Sequence, residues 1–139
     1  MVVTKWKSTK KATVRISEYF IDWAKAPSKG QKAFQDFIFP YWGQDIVLAE
    51  LRIPGSQKRC DIVNVTKKVI VEYSPCSHHA KFNKFFHGSR ANFLKTIKTD
   101  VEKAEWAEVN GFLFVELIED DIPKLSEDYL TTRFNLPLW

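Results

Sequence analysis

Asp61 lies inside one apolar run of this chain, Glu72 closes the next, and a histidine pair, His78 and His79, follows. A carboxylate in an apolar strand is costly to bury without a partner, so two in adjacent strands require a reason. A shared divalent cation supplies one, because hard cations take oxygen ligands, and a histidine beside it suits proton removal from water. Plainer roles exist for each residue: Asp61 pairing with Arg59, Glu72 as a hydrated strand end, one histidine satisfying backbone groups. Cys76, His78, His79 and His87 lack the paired-ligand spacing of structural zinc sites.

The elements around these residues follow from pattern and punctuation. Ser17 caps a short predicted helix over EYFIDWAKA that ends before Pro27. Ser28 caps a clearer one, Lys29 to about Phe39, with the apolar stripe Ala33, Phe34, Phe37 and Ile38. Gln31 stands about 60° from Phe34 on that helix and can point inward. Beyond Pro40 and Gly43, Ile46 to Ile53 reads as a strand stopped by Pro54-Gly55. Arg59 to Val65 and Lys68 to Tyr73 follow, and their short connections predict an antiparallel meander. A long connection from Cys76 to Ser89 leads to the longest predicted helix, about Arg90 to Val109. Its stripe is Phe93, Leu94, Ile97, Val101 and Ala104, with Asp100 on the edge, and Asn110-Gly111 closes it. Phe112 to Ile118 reads as a strand covered on both faces. The acidic and then aromatic tail carries a short helix from Ser126.

At 139 residues and 45% hydrophobic content, one core is expected. Within it, 28–118 forms the central unit, 1–27 a basic arm and short helix, with residues 1–15 either weakly ordered or an edge strand near Ala12 to Ile16, and 119–139 an extension. The net charge of +4 is segregated: Lys5, Lys7, Lys10, Lys11 and Arg15 open the chain without an acid. A second basic run, Lys81, Lys84, Arg90, Lys95, Lys98 and Lys103, opposes the acidic 116–128 region. Such segregation suits a polyanion, and these six side chains are the expected nucleic-acid contacts, with Trp6 a minor one. Two cysteines give no disulfide framework, and no segment reads as a signal or membrane span, so a reducing, cytoplasmic setting away from membranes is expected.

The order helix, three-stranded meander, helix, strand, with an Asp in the second strand and a Glu closing the third, resembles the PD-(D/E)XK nuclease core. The runs VIVEYSPCSHH and FNKFFHGSRANFLKTIKTDVEKAEWAEVNGFLFVEL, with the Lys103, Trp106, Asn110-Gly111 frame, resemble the branch of very-short-patch mismatch repair endonucleases and EDxHD phage homing endonucleases. The resemblance spans roughly 28–118. It implies an α/β (α+β) restriction-endonuclease-like domain with a mixed central sheet flanked by helices, in a bacterial or phage-infected cell. It also implies hydrolysis of phosphodiester bonds in double-stranded DNA with Mg²⁺ or Mn²⁺. Carried over, Asp61 is the central metal ligand, Glu72 the second metal-binding carboxylate, and His78, rather than His79, the general base. Asp100 supports the metal or orients that histidine.

Two positions depart from the pattern. Ser74 stands where the superfamily has a lysine, unless Lys95, Lys98 or Lys103 has moved into that role. Gln31 stands where the branch has a glutamate; its amide can coordinate weakly but is neither an anionic ligand nor a base. Either Glu18 or Glu50 replaces that acid, or the chain is a nuclease-derived DNA-binding module with little or no catalysis, or the glutamate was replaced by design to disable the site. A double-strand cut by so small a chain needs two active sites, which leads us to expect a homodimer.

Overall fold

The structure is a computed structural model, and it describes residues 1–74 and 101–139. His78, His79, Asp100, Lys81, Lys84, Arg90, Lys95 and Lys98 lie outside the described residues.

A four-stranded mixed sheet is the centre of the domain. Strands β3 (Val47–Arg52), β4 (Arg59–Asn64) and β5 (Val69–Ser74) form the antiparallel meander, and β6 (Leu113–Ile118) adds to β5 in parallel, giving the order β3-β4-β5-β6. The parallel neighbour follows from the helical crossover that precedes it, since a parallel pair requires a long connection. This is the mixed α+β architecture expected from the residue order, and each expected strand lies within two residues of its observed bounds.

Helix α1 (Lys29–Trp42) covers one face. Ser28 caps it by accepting from the Gln31 N–H, and Phe34, Ile38 and Trp42 pack on Ile62, Val69, Val71, Val115 and Leu117. Its buried stripe is Gln31, Phe34, Gln35, Ile38 and Trp42 rather than one centred on Ala33 and Phe37. Gln31 thus points into the protein, 3% exposed. The helix also runs past the expected stop at Phe39. Pro40 removes one hydrogen bond to an exposed turn, and buried Trp42, whose Nε1 donates to Pro137 O at 3.1 Å, anchors the last turn.

The other face carries a second core of Leu48, Leu51, Ile53, Cys60, Val63 and Ile70 against Trp106 and Ala107 of the helical residues 101–109, here α2. Val101, expected in the buried stripe, is 51% exposed, because α2 turns Trp106 and Ala107 to the sheet. Gly111, at φ +77°, closes α2 in the left-handed conformation that glycine adopts without a Cβ clash.

The N-terminal segment differs from its expected form. Residues 1–15 are tied down as a hairpin, β1 (Val2–Thr4) with β2 (Lys11–Thr13). Trp106 Nε1 donates to Thr4 O at 2.6 Å, and Thr4 N–H donates to Asn110 Oδ1 at 2.7 Å. The helix expected from Ser17 is only a 3-10 turn, Ile16–Glu18. The backbone beyond it pairs with the edge of β3 instead: Ala49 N–H donates to Tyr19 O, Ile21 N–H donates to Val47 O, and Phe20 bridges Leu48. An open strand edge satisfies the backbone of this β-branched and aromatic stretch better than an isolated short helix does.

At the C-terminus, α3 (Glu127–Phe134) starts at Ser126, as its capping residue predicts, and Leu130, Leu136 and Leu138 enter the α1-side core. Among the described residues no helix is long and apolar enough to cross a membrane.

Candidate functional site

The register of the sheet places four acids in one line across its four strands. Glu72 of β5 pairs directly with Glu116 of β6. The last ladder pair between β4 and β5 is Ile62 with Val71, so the next residues, Asp61 and Glu72, face each other. Glu50 of β3 and Asp61 likewise lie opposite, flanked by the pairs Ala49–Ile62 and Leu51–Cys60. Like charges at opposed strand positions repel, so this row needs compensation.

Part of that compensation comes from the backbone. Asp61 N–H donates to Glu72 Oε2 at 2.9 Å, and Tyr73 N–H donates to Asp61 Oδ2 at 2.8 Å. Where the main-chain ladder stops, each carboxylate replaces a carbonyl as acceptor for the neighbouring strand. Ladder and site therefore specify the same register.

A further part comes from α2. Lys103 Nζ donates to Glu72 Oε1 at 2.6 Å and to Arg59 O at 2.7 Å, with its side chain 17% exposed. Two of its three ammonium protons are thereby used, leaving one donor among the described contacts. Lys103, expected as a phosphate contact or as a displaced site lysine, thus stands at the carboxylates. Ser74 ends β5.

Glu50 enters through an unusual backbone. Its φ is +53° within β3, a conformation costing an L-residue about 1–2 kcal/mol. The Gln31 side chain lies near enough to Glu50 to favour its charged form, and Gln31 Nε2 lies 3.5 Å from Gln35 Oε1. The position where an acid was expected therefore holds an amide whose neighbour is an acid on β3. Glu18, the other candidate substitute, is exposed and 4.0 Å from Arg15 on the 3-10 turn.

Charge crowding shifts the protonation of the site. Burial first, then the Asp61 charge, pushes the Glu72 carboxyl up to about 7 against the opposing pull of Lys103. Burial and Asp61 also raise Glu50, opposed by Arg59, Lys103 and the Gln31 side chain. Lys103 is held above its ordinary value, because Glu72 outweighs the desolvation that acts in the other direction. Burial, then the Glu72 charge, pushes the Cys60 thiol up to about 12, so Cys60 is a small apolar core residue and not a nucleophile.

No family model, curated protein or solved structure matches the chain.

Of the residues singled out from sequence, the structure brings together Asp61, Glu72, Lys103 and, through Glu50, Gln31. Glu116 was not singled out. Its signal was available, since a parallel strand after the crossover sets an acid beside Glu72 once the register is known, but sequence alone leaves that register open. Among the described residues no group of three or more His, Cys, Asp or Glu is arranged to hold a metal ion. The oxygen-rich, partly backbone-bound donors suit the way Mg²⁺ is held, through one or two carboxylates completed by water and substrate phosphate.

Proposed function

We propose that this chain is a metal-dependent endonuclease that hydrolyses phosphodiester bonds of double-stranded DNA, of the phage homing or mismatch-repair type, acting as a homodimer in the cytoplasm. The observation that carries this reading is the paired arrangement of Asp61 and Glu72 on neighbouring strands with the Lys103 ammonium bonded to Glu72. The second carboxylate serves the strand register as well, and its charge set directly against the first beside one lysine is what supports a cation-binding role.

In this reading Asp61 and Glu72 would hold Mg²⁺ or Mn²⁺, with water and substrate phosphate completing the shell, and Glu50 stands beside them as the acid nearest the missing helix glutamate. When bound, the ion supplies charge neutralisation on the phosphoryl oxygens and lowers the pKa of water. Among the described contacts the Tyr73 bond uses Asp61 Oδ2, which leaves Oδ1 for that purpose. Lys103 offers its remaining N–H to a phosphate oxygen or to the attacking water. Gln31 stands beside Glu50 and favours its charged form. His78 as base and Asp100 as its support rest on the family resemblance.

Gln31 also favours a second reading, a DNA-binding module without turnover, because an amide occupies the place of an acid. Incubation of supercoiled plasmid with Mg²⁺, Mn²⁺ or chelator separates the two. Metal-dependent nicking that Asp61→Asn abolishes supports the enzyme. Chelator-resistant binding with no nicking, even for Gln31→Glu, supports the module.

A further inference from the structure

The basic N-terminus is built into the fold, and what it packs against extends its charge. Trp6 N–H donates to Pro54 O at 2.8 Å, which joins the turn between β1 and β2 to the turn between β3 and β4. A Cβ placed on Gly55 would meet Lys5 Cβ at 3.4 Å and Trp6 N at 3.5 Å, so the two turns touch along their backbones. The Trp6 ring packs on the α2-side core, and Lys58 Nζ lies 6.0 Å above it. This anchoring fixes where the lysines of two remote segments stand.

The joined turns carry Lys5, Lys10, Lys11, Arg52, Lys58 and Arg59, while residues 1–17 and 51–60 contain no acid. Lys10, Lys11, Arg52 and Arg59 are exposed, and Lys7 pairs with Glu102 of α2 at 3.0 Å, which ties the ridge to that helix. The ridge runs directly into the carboxylate row, because Arg59 O accepts from the same Lys103 ammonium that pairs with Glu72. A line of cations ending at a set of acids complements a phosphate backbone that must pass the acids to be cut. The occupant is set by the neighbouring site, proposed above to act on DNA, and an acidic peptide or an anionic membrane surface on the same cations is the outcome that would count against it.

We infer that the joined β1–β2 and β3–β4 turns form a docking ridge for the sugar-phosphate backbone of duplex DNA, leading the strand to the Asp61–Glu72 site. The inference rests on the DNA-directed reading above and assigns contacts that lie outside the 81–103 run. Phosphate contacts of this kind give affinity without sequence preference and release counterions in proportion to their number.

The test measures binding of the full chain to a short labelled duplex in chelator across a salt series. The variants are a ridge triple, Lys5→Glu with Lys10→Glu and Lys58→Glu, and a charge-matched triple elsewhere, Lys25→Glu with Lys29→Glu and Lys124→Glu, each checked for folding by circular dichroism. The ridge triple should lose at least about tenfold in affinity and lower the slope of log K against log salt by about 2–3, as roughly 0.9 per phosphate contact predicts. The other triple should stay within about threefold of the parent by the same arithmetic. Equal losses in both triples, or an unchanged slope in the ridge triple while the parent binds DNA, overturns the ridge alone. A parent that binds no duplex at low salt, or prefers vesicles containing phosphatidylserine, overturns the ridge and the DNA-directed reading together.

Discussion

Asp61 donates its backbone N–H to Glu72 Oε2 at 2.9 Å while its own carboxylate takes the N–H of Tyr73, so two opposed acids hold the strand register that brings them together. Removing either acid therefore removes a backbone partner as well as a charge. Lys103 then sets the balance of charge, with Glu50 and Gln31 as the outer members of the site.

Loss of the Lys103 ammonium leaves Glu72 nearly buried and uncompensated. Lys103→Ala should destabilise the fold by at least about 2 kcal/mol in urea unfolding, less than the about 3–5 kcal/mol of a fully enclosed pair because the ammonium is partly exposed. Glu72→Gln in that background should recover part of the loss. The resulting double-mutant cycle should give a coupling of about 1–3 kcal/mol, and strict additivity would show that the pair is not coupled.

The raised Glu72 carboxyl has a defined effect on stability. Its folded-state value, about 7, lies above the ordinary 4.5, so the folded state binds more protons than the unfolded state between those values. The slope of stability with pH is then negative: the contribution is complete below about pH 4.5 and is lost as pH rises through about 7. Urea midpoints from pH 4.5 to 8 should show this decline, and Glu72→Gln should remove it. Asp61→Asn, by deleting the neighbouring charge, should move the Glu72 carboxyl resonance to titrate at lower pH in carbon-detected NMR. An unmoved titration contradicts the crowding.

Much of this fold was legible in the residue order, and the failures are local and physical. The meander was readable because Pro54-Gly55 and the Asn64 to Lys68 turn separate runs whose apolar residues already match the strands. The last strand was readable as a long apolar run after a helix, and its parallel pairing with β5 comes from the structure. What sequence did not show is competition between partners. Residues 19–21 have helix-compatible neighbours but meet an open β3 edge, and the N-terminal lysines mask the Val3, Val14 and Trp6 contacts that dock the hairpin. Asp61 and Glu72 stood out because acids in apolar strands are exceptional. Glu50 appeared only as a substitute and Glu116 did not appear, because their relation to the pair depends on register, and Glu50 also on a left-handed backbone that no residue type announces.

That backbone separates strain from chemistry at Glu50. Glu50→Gly and Glu50→Ala remove the same carboxylate, but glycine occupies φ +53° without a Cβ clash. The glycine variant should be about 1 kcal/mol more stable than the alanine variant. Both should lose plasmid nicking to the same extent. A nicking rate equal to the parent's in both variants would remove Glu50 from the site.

Gln31→Glu sets a buried acid beside the half-buried Glu50. Without metal this variant should be less stable than the parent by about 1–3 kcal/mol, the cost of an uncompensated buried polar charge. Mn²⁺ should return that stability, since a cation bound only to the folded state at 100 times its Kd adds about 2.7 kcal/mol. Thermal unfolding with and without Mn²⁺ reads both effects. A variant that loses stability and gains nothing from Mn²⁺ would show that the acids do not converge on a cation.

The central claim is that the Asp61–Glu72–Lys103 arrangement is a hydrolytic site. Its most direct measurement is the single-turnover nicking rate of supercoiled plasmid by the parent chain, Asp61→Asn and Gln31→Glu in Mg²⁺, Mn²⁺ and chelator. The account predicts metal-dependent nicking by the parent, loss of at least about a hundredfold in Asp61→Asn, the scale on which acid–base and charge-stabilising groups act, and a rate in Gln31→Glu at or above the parent's. Binding without nicking in every metal, for the parent and Gln31→Glu alike, would contradict it.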